Sequence, residues 1–138
     1  MGWLAFAFVS AGAAALTAIL AKIGIEGVPS NLATAIRTVV ITAFAWAIVA
    51  GTGEHRALGT ISRRSLVFLV LSGVATGISW LAYFRALQMA PASRVTPIDK
   101  LSLPLTIVLA AAFLGESVSW KLGLGVALMT VGALLTIG

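Results

Sequence analysis

Four charged side chains, Arg37, Arg85, Asp99 and Lys100, lie inside runs of sequence that are otherwise apolar. A charge at the centre of an inserted helix costs about 2.5–3.5 kcal/mol on translocon scales. Such residues persist where they face a protein interior or a watery cavity, and there they commonly serve the movement of ions or solutes. The chemistry open to this set is binding and proton exchange. Asp99 is the one acid within any of these runs, so it can carry a proton, neutralise a cationic ligand, or pair with Arg37, Arg85 or Lys100. Three bases against one acid leave the set at net +2 when all are ionised, which favours an anionic or zwitterionic ligand. Trp80 and Tyr83 would supply aromatic wall and Gln88 a polar contact. Covalent catalysis is not indicated, because the sequence offers no nucleophile–base pair, phosphate-binding loop or metal set. With no cysteine and a single histidine, His55, neither a metal site nor a disulfide is expected, and no cofactor is implied.

The elements that would position these residues follow from composition. Of 138 residues only 9% are charged, against about 25% in a soluble domain. That is too few to cover a water-facing surface, so the expected class is an all-α integral membrane protein. A spanning helix needs about 20 mainly apolar residues, and five such runs are present: 3–21, 32–50, 66–89, 95–114 and 120–137. The second contains Arg37, the third Arg85, and the fourth Asp99 and Lys100. The longest polar connection, 51–65, holds Glu54, His55, Arg56, Arg63 and Arg64. The link at 90–94 is short, which predicts that the third and fourth spans are antiparallel neighbours. A β-barrel would need alternating ten-residue strands and a closed edge, which five long apolar runs do not offer. The first run lacks the basic flank of a secretory signal and leads into further spans. The net charge of +5 is concentrated in loops and span ends, where it orients the chain against anionic lipid rather than marking a nucleic-acid partner.

Arg56, Arg63, Arg64 and Lys121 fall near one membrane face, and Lys22 and Arg94 near the other. The positive-inside rule then places the N-terminus in the cytoplasm and the C-terminus outside, by a narrow margin. Trp3 and Trp120 would anchor the cytoplasmic interface, with Trp46 about a turn inside it. At about 1.5 Å rise per residue, Arg37 is roughly 8 Å deep, Arg85 about 6 Å, and Asp99 and Lys100 about 6–8 Å, all counted from the outer face. Charges from three spans are thus expected in one layer. The alternatives are plain ones: the basic side chains snorkel to headgroups, and Asp99 forms a structural ion pair.

Pro97 and Pro104 mark the fourth span. Each lacks a backbone donor and clashes with the preceding turn, so a helix running through them would leave the carbonyls of Ser93 and Lys100 without partners. Broken helices beside intramembrane charge are common in transporters, and a kink kept for packing is the alternative. Ser10 and Thr17, seven apart in the first span, share a face. Gly73 and Gly77 form a GxxxG pair in the third span. Gly125 and Gly132, also seven apart, open one face of the fifth, which suits either internal packing or self-association.

The stretch from Tyr83 to Gly132 resembles the drug/metabolite transporter superfamily, specifically one five-helix EamA-type unit. The likeness is carried by Tyr83-Phe84-Arg85-Ala86-Leu87-Gln88, Ala90-Pro91-Ala92-Ser93-Arg94-Val95, Pro97-Ile98-Asp99-Lys100-Leu101-Ser102, and Phe113-Leu114-Gly115-Glu116 leading to Gly123 and Gly132. The first two spans are similar in hydropathy and position. The resemblance implies that residues 1–138 form a single transmembrane domain, one half of an inverted-repeat transporter that carries small metabolites by alternating access. It also implies a prokaryotic inner membrane. A lone repeat would need an inverted partner, most simply a homodimer inserted in both directions. The glycine pair Gly125 and Gly132 resembles the dimerisation pair of the four-helix small multidrug resistance transporters. Those proteins use a first-helix glutamate, and this first span has no acid. A flippase for a phosphate-bearing lipid and a membrane module that only assembles with another chain are the two further readings; an enzyme is not expected.

Overall fold

The computed structural model describes residues 2–137. The described residues are mostly helical, with no strand among them. Six α-helices follow in order: α1 Trp3–Gly24, α2 Ser30–Thr52, α3 Arg63–Met89, α4 Ala92–Asp99, α5 Ser102–Leu109 and α6 Trp120–Leu135. A 3-10 helix, Glu54–Thr60, occupies much of the polar connection before α3, and a π-helical turn, Ala110–Leu114, extends α5. The chain divides into two compact units. One comprises Leu20–Gln88, and the other the residues before Leu20 together with those from Met89 onward.

Local chemistry accounts for the element ends. Pro29 is extended (φ −55°, ψ 134°) and lies just before the first residue of α2. Gly53 closes α2 in the left-handed region at φ 75°, where its N–H reaches the carbonyls of Val49 and Ala50; glycine adopts that conformation without a Cβ penalty. The Ser62 hydroxyl accepts from the Ser65 N–H at 3.0 Å and so caps the start of α3. Ser119 does the same for α6, accepting from the Leu122 N–H at 3.2 Å. In the Leu114-Gly115-Glu116 turn, Gly115 sits at φ 68° and the Glu116 N–H returns to the Ala110 carbonyl at 3.3 Å. The glycine of that turn is therefore a backbone requirement.

The fourth expected span is one hydrophobic run but two helices. It breaks at Lys100 and Leu101, between α4 and α5. Pro104 then stands in the first turn of α5, where a missing N–H is least costly. The Lys100 carbonyl is not orphaned by Pro104, as a continuous helix would have left it. It accepts from the Leu103 N–H at 3.0 Å.

Among the described residues, four stretches are long and apolar enough to cross a membrane: α1, α2, α3 and the run Ala92–Leu114. The fifth expected span is shorter. Its helix, α6, has 16 residues and rises about 24 Å, less than the hydrocarbon thickness of about 30 Å. α6 packs against α4 and α5 within its unit. Most large apolar side chains are exposed on the single chain, among them Phe8, Val39, Phe44 and Phe113. Acyl chains solvate such a surface and water does not, so this exposure belongs with an integral membrane protein. A Cβ built on Gly73, Gly77, Gly125 or Gly132 meets no atom of its own unit within 4 Å. None of these glycines is therefore consumed by a close helix contact inside its unit.

Candidate functional site

In the Leu20–Gln88 unit, burial is concentrated at one level. Ala21 and Ile25 come from the end of α1 and the link after it, Ser30, Ala33 and Thr34 from the first turns of α2, and Phe84 and Leu87 from the last turns of α3. Phe84 and Leu87 are the deepest, at 1% and 0% exposure. The basic and polar candidates of this unit gather around that layer.

Trp80, Phe84, Leu87 and Gln88 lie at i, i+4, i+7 and i+8 of α3, the spacing of one helical face. Arg37 of α2 meets that face. Its guanidinium carbon lies 4.8 Å from the centroid of the Trp80 ring and 4.8 Å from that of Phe84. The cation is attracted by the negative faces of both rings, and the attraction grows where water is thin. Among the described residues no carboxylate pairs with Arg37. The Tyr83 ring stands edge-on to Phe84, with centroids 6.3 Å apart and planes at 67°.

One turn along, Arg85 is exposed and donates from Nη1 to Gln88 Oε1 at 3.3 Å. The other end of the Gln88 amide donates from Nε2 to the Val28 carbonyl at 2.7 Å. Gln88 thus joins the α1–α2 link to α3 while holding Arg85. Lys22, read from the sequence only as a span-end charge, donates from Nζ to the Leu87 carbonyl at 2.5 Å. That carbonyl is one of the last four of α3, which have no partner inside the helix, and a cation there also meets the negative end of the helix dipole.

The remaining candidates belong to the other unit. Asp99 ends α4, and its Oδ2 lies 3.3 Å from Lys100 Nζ, with the two side chains 34% and 49% exposed. Of the three bases considered as partners for Asp99, its sequence neighbour is the one it meets in this unit. A pair this exposed holds little energy in water. Lys100 sits in the break itself, its N–H shared between the carbonyls of Thr96 and Pro97 at 3.2 Å each. Arg37, Trp80, Tyr83, Arg85 and Gln88 therefore belong to one unit, and Asp99, Lys100, Pro97 and Pro104 to the other.

Sequence reasoning left out Phe84 and the Lys22 cap. Phe84 was legible as the residue one turn from Trp80 on the same face. The Lys22 contact has no local signature, because its acceptor is a main-chain oxygen 65 positions away.

The EamA-like transporter family matches the chain over residues 1–138. A Sinorhizobium sp. protein described as an uncharacterized transporter in the cobO 3' region is 50% identical over 133 residues, which is 96% of this chain and 94% of that protein. No solved structure matches the chain. Long apolar helices, intramembrane cations held on polar and aromatic partners, and a family match along the whole length agree: the chain belongs to the EamA-like transporter family.

Proposed function

We propose that this membrane transporter moves a small anionic or zwitterionic metabolite across a prokaryotic inner membrane by alternating access, working as a homodimer. The observation that carries the reading is the Arg37 guanidinium, 4.8 Å from the centroids of both the Trp80 and the Phe84 rings within a span and lacking a carboxylate partner in its unit. A cation maintained at that depth is costly unless something compensates it. The aromatic faces offset part of that cost, and a bound anion would offset more. Arg85 and Gln88 add donors next to this layer, with Tyr83 as wall. Asp99, at the break between α4 and α5, is the proposed proton or ion-coupling group, with Lys100 3.3 Å from its carboxylate and Pro104 following the break in the first turn of α5.

The homodimer reading rests on the open face of α6 at Gly125 and Gly132. Opposed insertion would give each copy an inverted counterpart.

The test is uptake into proteoliposomes, with candidate solutes first chosen by thermal-shift screening, since a ligand that binds only the folded state raises apparent stability. Arg85→Ala and Asp99→Asn are expected to lower uptake. If both variants carry the identified substrate as well as the parent, the assignment of these residues is wrong. Translocation of a phosphate-bearing lipid analogue with no soluble solute carried would replace this reading with a flippase.

A further inference from the structure

Resting on the transport reading of the same residues, the geometry at Arg37 points to a narrower ligand class: we propose that Arg37 receives a carboxylate, edge-on. The guanidinium carbon lies 4.8 Å from each of two ring centroids. Both rings come from one helix face, one turn apart, and Phe84 is fixed in place by its burial at 1% exposure. Aromatic faces are electron-rich and repel an anion's lone pairs. An anion is therefore kept off the ring-covered side of the guanidinium and meets it along the edges of its plane, where the N–H donors point. Arg37 is half-buried rather than sealed.

That restriction sorts ligands by shape. A carboxylate is planar, and its two oxygens match two parallel N–H groups of the fork. A phosphate or sulfate can also span the fork with two oxygens, but it is tetrahedral, and its remaining oxygens lie out of that plane, where they meet the ring-covered side. A primary amide keeps the carboxylate's shape but replaces one acceptor with a donor and loses the charge. A lysine in place of Arg37 keeps the charge but loses the fork. The predicted order is carboxylate first, with phosphate, amide and the Arg37→Lys variant all behind.

Trp80 gives a direct readout. Trp3, Trp46 and Trp120 are 77%, 52% and 72% exposed, so replacing each by Phe leaves Trp80 as the sole indole at little structural cost. This protein, in detergent micelles, is titrated with acetate to hexanoate, benzoate and alanine, with the matching amides, and with inorganic phosphate. At least one carboxylate is expected to change Trp80 emission saturably, with its amide and phosphate about tenfold weaker or more. Arg37→Lys is expected to weaken the carboxylate response by a similar factor, of order tenfold. The proposal is overturned if no carboxylate in the series responds, if an amide or phosphate matches its carboxylate, or if folded Arg37→Lys responds like the parent. Should Arg37→Lys fail to fold, the carboxylate-to-amide ratio of the parent decides alone. Binding in micelles needs no transport, so carboxylate binding without uptake counts against the transport reading only. Uptake that ignores the carboxylate counts against this proposal only.

Discussion

The Lys22 ammonium donates to the main-chain oxygen of Leu87, so the last turn of α1 closes the last turn of α3. Leu87 itself is fully buried and Lys22 half-buried, which keeps the contact away from full hydration. Lys22→Met keeps most of the side-chain volume but removes the donor and the charge at the negative end of the helix. It is expected to lower stability by about 1 kcal/mol, read as a lower thermal midpoint in detergent. Lys22→Arg should recover part of the loss; a Met variant as stable as the parent would show that the cap contributes nothing.

Gln88 uses both ends of one amide, accepting from Arg85 and donating to Val28. Gln88→Leu fits the same space without either bond and leaves the Val28 carbonyl without this donor. A loss of about 1 kcal/mol is expected, again from thermal unfolding. Gln88→Glu keeps an acceptor for Arg85 but cannot donate to Val28. If the tether matters more than the hold on Arg85, the two variants will be destabilised alike.

Pro104 denies the Lys100 carbonyl a partner four positions on, and the Leu103 N–H takes its place. Pro104→Ala supplies the missing donor and a better helix former. The variant is expected to be at least as stable as the parent, with α4 and α5 drawn toward one continuous helix and with slower uptake. The chain has no cysteine, so spin labels on Arg94→Cys and Leu109→Cys can measure that straightening directly. Unchanged label distances would show that Pro104 does not set the break.

Gly125 and Gly132 face open space within their unit. Leucine at either position should therefore leave the monomer folded while blocking a close neighbour on that face. Cross-linking in membranes is expected to show a reduced dimer fraction for Gly125→Leu and Gly132→Leu with unchanged thermal midpoints. Topology reporters fused at the C-terminus should register both sides of the membrane in comparable amounts if the subunits are opposed. A one-sided signal would leave a parallel dimer or a separate partner chain.

Hydropathy alone located the helices well, because the bilayer imposes a length on any apolar run. α1, α2 and α3 extend two or three residues beyond the expected spans at ends where Lys22, Ser30, Arg63 and Arg64 continue the helix into polar sequence. Pro97 and Pro104 point to a break in the fourth run, yet α4 runs through Pro97 and the interruption falls at Lys100 and Leu101, ahead of Pro104. Proline fixes which donor is missing; which neighbouring N–H fills in, here that of Leu103, depends on the local turn. The 3-10 helix at Glu54–Thr60 and the π turn at Ala110–Leu114 leave no periodic trace in so few residues. Within the candidate site, the intramembrane charges announced themselves by cost, whereas their partners did not. The Arg37 stack depends on which faces of α2 and α3 meet, and the Lys22 and Gln88 contacts end on main-chain oxygens that every residue possesses.

The short length of α6 has a consequence for the surrounding lipid. With α6 as the proposed fifth crossing, its 16 residues leave a gap of several ångströms against an average bilayer. The lipid beside it must thin, or the flanking Trp120 and Lys121 must reach outward to close the shortfall. Either response costs a fraction of a kcal/mol per ångström, so acyl-chain length becomes a control on this protein. Reconstituted uptake should peak in short-chain phosphatidylcholines and fall as the chains lengthen, whichever solute is carried.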